Sequence, residues 1–243
     1  MRRLLLLLAS GLAQGLVTYP ESPSNATLGC DAAQQAILRT AFVNAQELST
    51  LALESTDSEL WETYFGQSSA EVVHAVFRTI LSYKFPGPSP IKCHSEWAPG
   101  MCGVNNTVIT YHDNKTSMFV CPRYFRDFQP KVCGTPDADK KNWLQDQGTL
   151  MVHELAHNIR PFGVQILDGT LYGTFEGEKI AGSGSCYDFK CITELVIKAR
   201  NYPPTARLTQ WLAEAYAKYA LAIRTSQRPC REGAPDLSAG TVY

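Results

Sequence analysis

The sequence predicts an α+β fold that is mainly helical, with a small β-sheet stapled by disulfides. Apolar residues recur at helical spacing in several separate stretches of the chain. Between residues 91 and 143 the pattern changes to short β-branched and aromatic runs separated by turn residues. The chain has eight cysteines, an even number typical of a secreted protein held together by disulfides, and four of them lie in this stretch.

Composition excludes several classes of protein. The 243 residues include 22 Lys+Arg and 23 Asp+Glu, and 44% are hydrophobic. This is too apolar for a disordered tail, and the near-zero net charge provides no field that would attract nucleic acid. After the first fifteen residues no apolar run approaches the roughly 18–20 residues of a membrane span. We therefore expect one soluble domain, monomeric, with neither nucleic acid nor membrane as a partner.

The N-terminus is typical of a secretory signal peptide. Arg2 and Arg3 precede the apolar run Leu4–Leu8, and small residues suited to cleavage follow. Three glycosylation sequons, at Asn25, Asn105 and Asn114, agree with a secreted, extracellular protein. The predicted organisation is a signal peptide over 1–15, an extended lead-in over 16–29, one domain over 30–230 and a flexible tail over 231–243.

The first half of the domain is predicted to be helical. Asp31 is a good N-cap and precedes a long stretch with helical periodicity. A second helical region covers 57–83 and is broken at Gly66–Ser69. His74 lies in this region, and we interpret it as an ordinary helix histidine. The proline-rich stretch 85–90 ends the helices.

Strands are predicted next, followed by further helices. Thr107–Tyr111 and Ser117–Val120 are β-branched or aromatic runs separated by turn residues. Helical periodicity returns near 145–159, 189–200 and 205–225. The last helix is predicted to carry one apolar face, formed by Leu208, Trp211, Leu212, Ala215, Tyr219 and Ile223.

The sequence His153-Glu154-Leu155-Ala156-His157 is an HExxH motif. Residues four apart share one face of a helix, so His153 and His157 can bind one Zn²⁺. Glu154 is rotated by about 100° from His153, which can place its carboxylate beside the metal's open position. The metal would lower the pKa of a water there, and Glu154 would accept the proton. The motif therefore predicts one Zn²⁺ per chain and hydrolytic chemistry.

A third metal ligand is needed, and it is predicted to be an acid. No histidine follows His157, which excludes the metzincin pattern. The candidates are Asp168, Glu176, Glu178, Asp188 and Glu194. Asp168 lies in a glycine-containing segment that allows a tight turn after the helix. Glu194 lies on a predicted helix and is the main alternative.

The segment from Gln145 to Gly173 resembles the deuterolysin, or aspzincin, family of secreted fungal metalloendopeptidases. That family combines HExxH with a downstream GTxxDxxYG. Other family-like segments are Cys30 with the helix that follows it, Tyr64-Phe65-Gly66, 120–124 and 213–220. The resemblance implies a zincin-like metalloprotease domain, with Asp168 as the third ligand and Tyr172 as a hydrogen-bond donor to the tetrahedral intermediate. Here Gly169-Thr170 follows Asp168, whereas the family's Gly-Thr precedes its aspartate, and Tyr172 is four residues after Asp168 rather than three.

The resemblance also implies a disulfide layout and a function. The implied pairs are Cys30–Cys93, Cys102–Cys121 and Cys133–Cys230, which leaves Cys186 with Cys191. The implied function is that of a zinc endopeptidase acting on protein or peptide substrates. The alternative is a non-catalytic secreted zinc-binding protein, since related fungal antigens and zinc scavengers keep HRxxH. This chain keeps Glu154, which favours catalysis.

Overall fold

A computed structural model describes residues 27–93, 102, 108–111, 117–131, 146–163, 166–167, 174–175, 178–179, 189–201 and 209–227. The predicted signal peptide, the asparagines of the three sequons and the C-terminal tail lie outside these residues. So do Asp168 and Tyr172.

Helices dominate the described part, so the prediction of a mainly helical α+β fold is confirmed. The helices are α1 (Ala32–Glu54), α2 (Ser58–Tyr64), α3 (Ala70–Ser82), α4 (Pro122–Asp127), α5 (Gln147–His157), α6 (Phe189–Asn201) and α7 (Ala213–Gln227). The strands are β1 (Thr27–Leu28), β2 (Ile91–Lys92), β3 (Val108–Tyr111), β4 (Ser117–Val120), β5 (Thr174–Phe175) and β6 (Glu178–Lys179). No described helix is both long enough and apolar enough to cross a lipid bilayer.

Local signals set the helix boundaries where the sequence places them. The Asp31 carboxylate accepts a hydrogen bond from Gln34 N at 2.8 Å, and the Gln34 side chain accepts one from Asp31 N at 3.0 Å, which together form a capping box. The predicted break after α2 falls at Gly66, whose φ of 51° is in the left-handed region. A Cβ at this position would also lie 2.9 Å from the Val196 side chain, so glycine is required on two grounds.

The larger sheet has four strands in the order β1-β2-β4-β3. β2 pairs in parallel with β1 and β4, whereas β3 runs antiparallel to β4, with Val108 opposite Val120. The two predicted strands are confirmed as β3 and β4. β1 and β2 have two residues each, too short for any periodic signal. β5 and β6 form a separate two-stranded sheet.

Disulfides join the first helix and the sheet. Cys30, just before α1, is bonded to Cys93, just after β2, and Cys102 is bonded to Cys121 at the end of β4. These two pairings are the ones that the family resemblance implies. Cys191 is also disulfide-bonded, and its partner lies outside the described residues, as do Cys133, Cys186 and Cys230.

Helix α7 lies at the centre of the helical layer, packed against α1, α2 and α5. Every residue from Ala213 to Thr225 is buried, and the helix begins at Ala213 after a short 3-10 turn at Thr209–Trp211. Of the residues predicted to share one apolar face, Leu212, Ala215, Tyr219 and Ile223 are buried, but the rest of α7 is buried as well, so its buried surface is wider than that face. The sequence pattern misleads here because Glu214, Lys218 and Arg224 interrupt the apolar run although they are buried.

Helix α5, which carries HExxH, packs closely against α1. A Cβ at Gly148 would lie 2.6 Å from Asn44 Cβ, so only glycine permits this approach of the two helices. On the other side, the Tyr124 hydroxyl donates to Gln147 O at 3.0 Å, and the Gln147 side chain donates to Phe128 O at 2.9 Å. These contacts fix the first turn of α5 between α1 and α4.

Candidate metal centre

Helix α5 places His153, Glu154 and His157 in one small region with limited solvent access. Each of the three keeps 5% of its surface exposed, whereas Val152, Leu155 and Ala156 between and beside them keep none. The polar groups of the motif are therefore the ones that solvent can reach. The predicted juxtaposition of the two histidines is present in the structure.

The ring of His157 is fixed by a backbone carbonyl. Its Nδ1 lies 2.9 Å from Ile166 O. A carbonyl oxygen can only accept, so the hydrogen must be on Nδ1. In the neutral imidazole this leaves a lone pair on Nε2, which makes Nε2 the available metal ligand.

The ring of His153 is fixed by a carboxylate. Its Nδ1 lies 2.9 Å from Glu214 Oε2, at the start of α7, and both side chains are buried. The carboxylate accepts the Nδ1 hydrogen, so the lone pair again lies on Nε2. In metal-binding histidines, the ring nitrogen that does not bind the metal almost always donates a hydrogen bond to an acceptor such as a carboxylate or a backbone carbonyl.

The two ligand nitrogens converge. His153 Nε2 and His157 Nε2 are 3.2 Å apart, and the ring planes are 81° to one another. Two lone pairs aimed at the same point repel unless a cation lies between them. Tetrahedral zinc with bonds of about 2.0–2.1 Å would separate two nitrogen ligands by about 3.3 Å. The two histidines therefore fit a zinc ion.

The third ligand is not identified among the described residues, where no group of three or more metal-binding side chains occurs. Glu194 is exposed on α6, unlike the buried histidines, and Glu178 lies in β6. The other three candidates, Asp168, Glu176 and Asp188, fall outside the described residues. Leu167 N donates to Trp211 O at 2.9 Å, and Ala213 N donates to Leu167 O at 3.1 Å. Together with the hydrogen bond from His157 Nδ1 to Ile166 O, these bonds hold the chain beside the site as far as Leu167, the residue before Asp168.

Polar contacts hold the carboxyl end of α5. The Asn158 side chain donates to Glu154 O at 3.1 Å and accepts from the Ser89 hydroxyl at 2.7 Å. Tyr124 contacts the other end of the helix, and burial, followed by the carboxylates of Asp146 and Glu154, raises the pKa of its hydroxyl well above the usual value. Tyr124 therefore remains a neutral hydrogen-bond donor to Gln147 O in the first turn of α5.

The amino end of α5 is anchored by a buried ion pair. Asp146 is the N-cap, and its Oδ1 accepts from Thr149 N and from the Thr149 hydroxyl, both at 2.7 Å. Its Oδ2 accepts from Arg224 Nη2 on α7, and the side chains of both partners are almost completely buried. Helix α7 therefore contacts α5 through charged groups at two places, Asp146 and His153.

The sequence alone does not predict that α7 contributes to the site. Glu214 and Lys218 enter only as part of the family-like segment 213–220, and Arg224 has no assigned role. The sequence does contain a signal for these contacts. Glu214, Lys218 and Arg224 interrupt a run of alanines and aromatic residues that is otherwise suited to burial. Charged groups in such a helix are buried only with partners, which is what the structure shows.

Comparison with known proteins finds a similarity over part of the chain. No protein-family model matches the chain. A probable neutral protease 2 homolog from Arthroderma otae is 28% identical over 145 residues. The aligned part covers 56% of this chain and 36% of that protein's length.

Proposed function

We propose that this chain is a secreted zinc-dependent endopeptidase of the deuterolysin type, with a zincin-like domain. The observation that carries the proposal is the convergence of His153 Nε2 and His157 Nε2 at 3.2 Å. Both opposite ring nitrogens are engaged by acceptors, which leaves two lone pairs aimed at one point. The similarity to a neutral protease supports a peptidase at the coarse level.

His153, His157 and an acid would hold the zinc, with Glu154 beside it. A zinc ion bound there would polarise the scissile carbonyl and lower the pKa of an attacking water. Glu154 accepts one proton from that water as the water oxygen forms a bond to the carbonyl carbon. Glu154 then passes the proton to the departing amine nitrogen as the carbon–nitrogen bond breaks. Tyr172 is our proposed hydrogen-bond donor to the tetrahedral intermediate.

The substrate would be a protein or peptide in extended form, bound along β3. This strand is at the end of the sheet order, pairs with β4 on one side, and packs against α5. An extended peptide can add to such an edge through backbone hydrogen bonds. That placement would carry a scissile bond past the helix that bears Glu154.

Asp168 is our proposed third ligand. The chain is held beside His157 as far as Leu167, and two residues span at most about 7 Å, which limits how far Asp168 can be from Ile166. The exposed side chain of Glu194 makes it a poorer ligand for two buried histidines. Secretion is supported by the N-terminal signal pattern and by the disulfides.

Removing and restoring zinc tests the function directly. Purified protein should hydrolyse casein, lose that activity in a strong chelator, and regain it when one equivalent of Zn²⁺ is added. Metal analysis should give one zinc per chain. Zinc at one per chain without casein hydrolysis would contradict the protease proposal and indicate the non-catalytic zinc-binding alternative. Hydrolysis that persists without metal would contradict the zinc mechanism.

Two substitutions distinguish the candidates for the third ligand. A site with only two histidines binds zinc weakly, so Asp168→Ala should emerge from a dilute chelator wash without zinc. Glu194→Ala should retain stoichiometric zinc after the same wash and serves as the matched control. The opposite result would assign Glu194 instead of Asp168. Retention of zinc by both variants would also reject Asp168 and move the search to Glu176, Glu178 and Asp188.

A further inference from the structure

A buried ion pair lies directly behind His153. Lys218 Nζ is 3.4 Å from Glu214 Oε1, one turn along α7, and the side chains are only 6% and 2% exposed. Burying an ammonium group and a carboxylate is costly unless the two are paired. Helix geometry brings residues four apart together, so the pair is built into a single rigid element.

The two oxygens of Glu214 have different partners. Oε2 accepts from His153 Nδ1 at 2.9 Å, and Oε1 is the atom nearest to Lys218. A carboxylate held at both oxygens cannot rotate without losing one of these contacts. The Lys218 ammonium group therefore restricts the plane of the Glu214 carboxylate, and this in turn restricts the rotation of the His153 ring.

A phenol also lies near the Glu214 carboxylate. Tyr64 lies close enough that burial first, and then the Glu214 charge, raise the pKa of its hydroxyl. A neutral phenol cannot balance the Glu214 charge, whereas the ammonium group of Lys218 can. The cation and the imidazole lie on the two sides of the same carboxylate.

We propose that Lys218 is a positioning residue of the metal centre, acting through Glu214 on the orientation of His153. This inference rests on the proposed zinc site. Lys218 would contribute to zinc affinity without contacting the metal itself. Because Lys218 acts only through Glu214, its effect must vanish once the Glu214 carboxylate has been removed.

The experiment measures the zinc affinity of the full chain by competition with a chelator of known affinity. Glu214→Gln should weaken zinc binding by about 10- to 100-fold, as expected for loss of a group that orients a ligand. Lys218→Met should weaken it by about threefold or more. The double variant should bind zinc within about twofold of Glu214→Gln alone, because effects within one network are not additive.

Two further variants separate positioning from stability. Lys218→Gln keeps a hydrogen-bond donor but removes the charge, so it should weaken zinc binding too, and it replaces Lys218→Met if that variant does not fold. Thr225→Val is the matched control, because Thr225 is buried on the same helix and, among the described residues, its hydroxyl bonds to the Leu221 and Ala222 carbonyls of its own helix. Its zinc affinity should equal that of the wild type even if its melting temperature falls.

The outcomes are distinct. Wild-type zinc affinity in both Lys218 variants would overturn the inference and leave the proposed function intact. So would Lys218 and Glu214 effects that multiply in the double variant. A wild-type protein that binds no zinc at all would instead overturn the proposed function itself.

Discussion

Glu154→Gln should lower the rate of casein hydrolysis by about 10²–10⁴-fold, the usual effect of losing a general base. Glutamine has nearly the size of glutamate but cannot accept a proton from the attacking water. Glu154 is buried on α5 between the two histidines, so an isosteric change leaves the packing of the helix intact. Metal analysis should therefore still find one zinc per chain in the inactive variant.

Glu71→Gln provides the control for this substitution. Glu71 is an exposed glutamate in the first turn of α3, and its replacement makes the same chemical change away from the site. The Glu71→Gln variant should hydrolyse casein at the wild-type rate. Activity of Glu154→Gln within tenfold of the wild type would remove Glu154 from the mechanism. Loss of zinc together with activity would indicate a ligand or structural role instead.

Asp146→Ala should produce the largest loss of stability. The substitution removes the N-cap of α5 and leaves Arg224 buried without its carboxylate. Breaking a buried ion pair by removing one partner typically costs about 3–5 kcal/mol of unfolding free energy. For a chain of this size that corresponds to a melting temperature lower by about 6–20 °C, measurable by calorimetry.

Two comparisons test this explanation. Replacing both partners, in Asp146→Ala with Arg224→Met, should restore part of the lost stability because no uncompensated charge stays buried. Asp127→Ala removes a carboxylate paired at the surface with Arg123 and Arg126, and should leave the melting temperature unchanged. A double variant less stable than Asp146→Ala would show that the buried charge is not the cause.

Patterns confined to a few neighbouring residues predicted many of the helix boundaries and strands and part of the candidate site. The capping residue Asp31, the break at Gly66 and the strands β3 and β4 all lie where the sequence places them. HExxH predicted correctly that His153 and His157 share one helix face. Each of these features depends on residues close together in the chain, so a local pattern carries the information.

Features that depend on distant contacts were not predictable in the same way. Glu214 is 61 residues from His153, and nothing in the sequence around either residue specifies their contact. The burial of α7 on every side follows from its position among α1, α2 and α5, whereas its own pattern suggested one apolar face. The alanines that allow this close packing also weaken the periodic signal by which a helix face is recognised.

The position of α7 in the chain has a consequence for how the protein is made. Glu214 leaves the ribosome 61 residues after His153, which at about 5–20 residues per second is a delay of roughly 3–12 s. During that interval HExxH has been synthesised, but the carboxylate that orients its first histidine has not. A nascent chain, or a fragment cleaved between α5 and α7, would carry the motif without a correctly oriented ligand. The proposed zinc site therefore lacks one of its parts until the start of α7 has been synthesised.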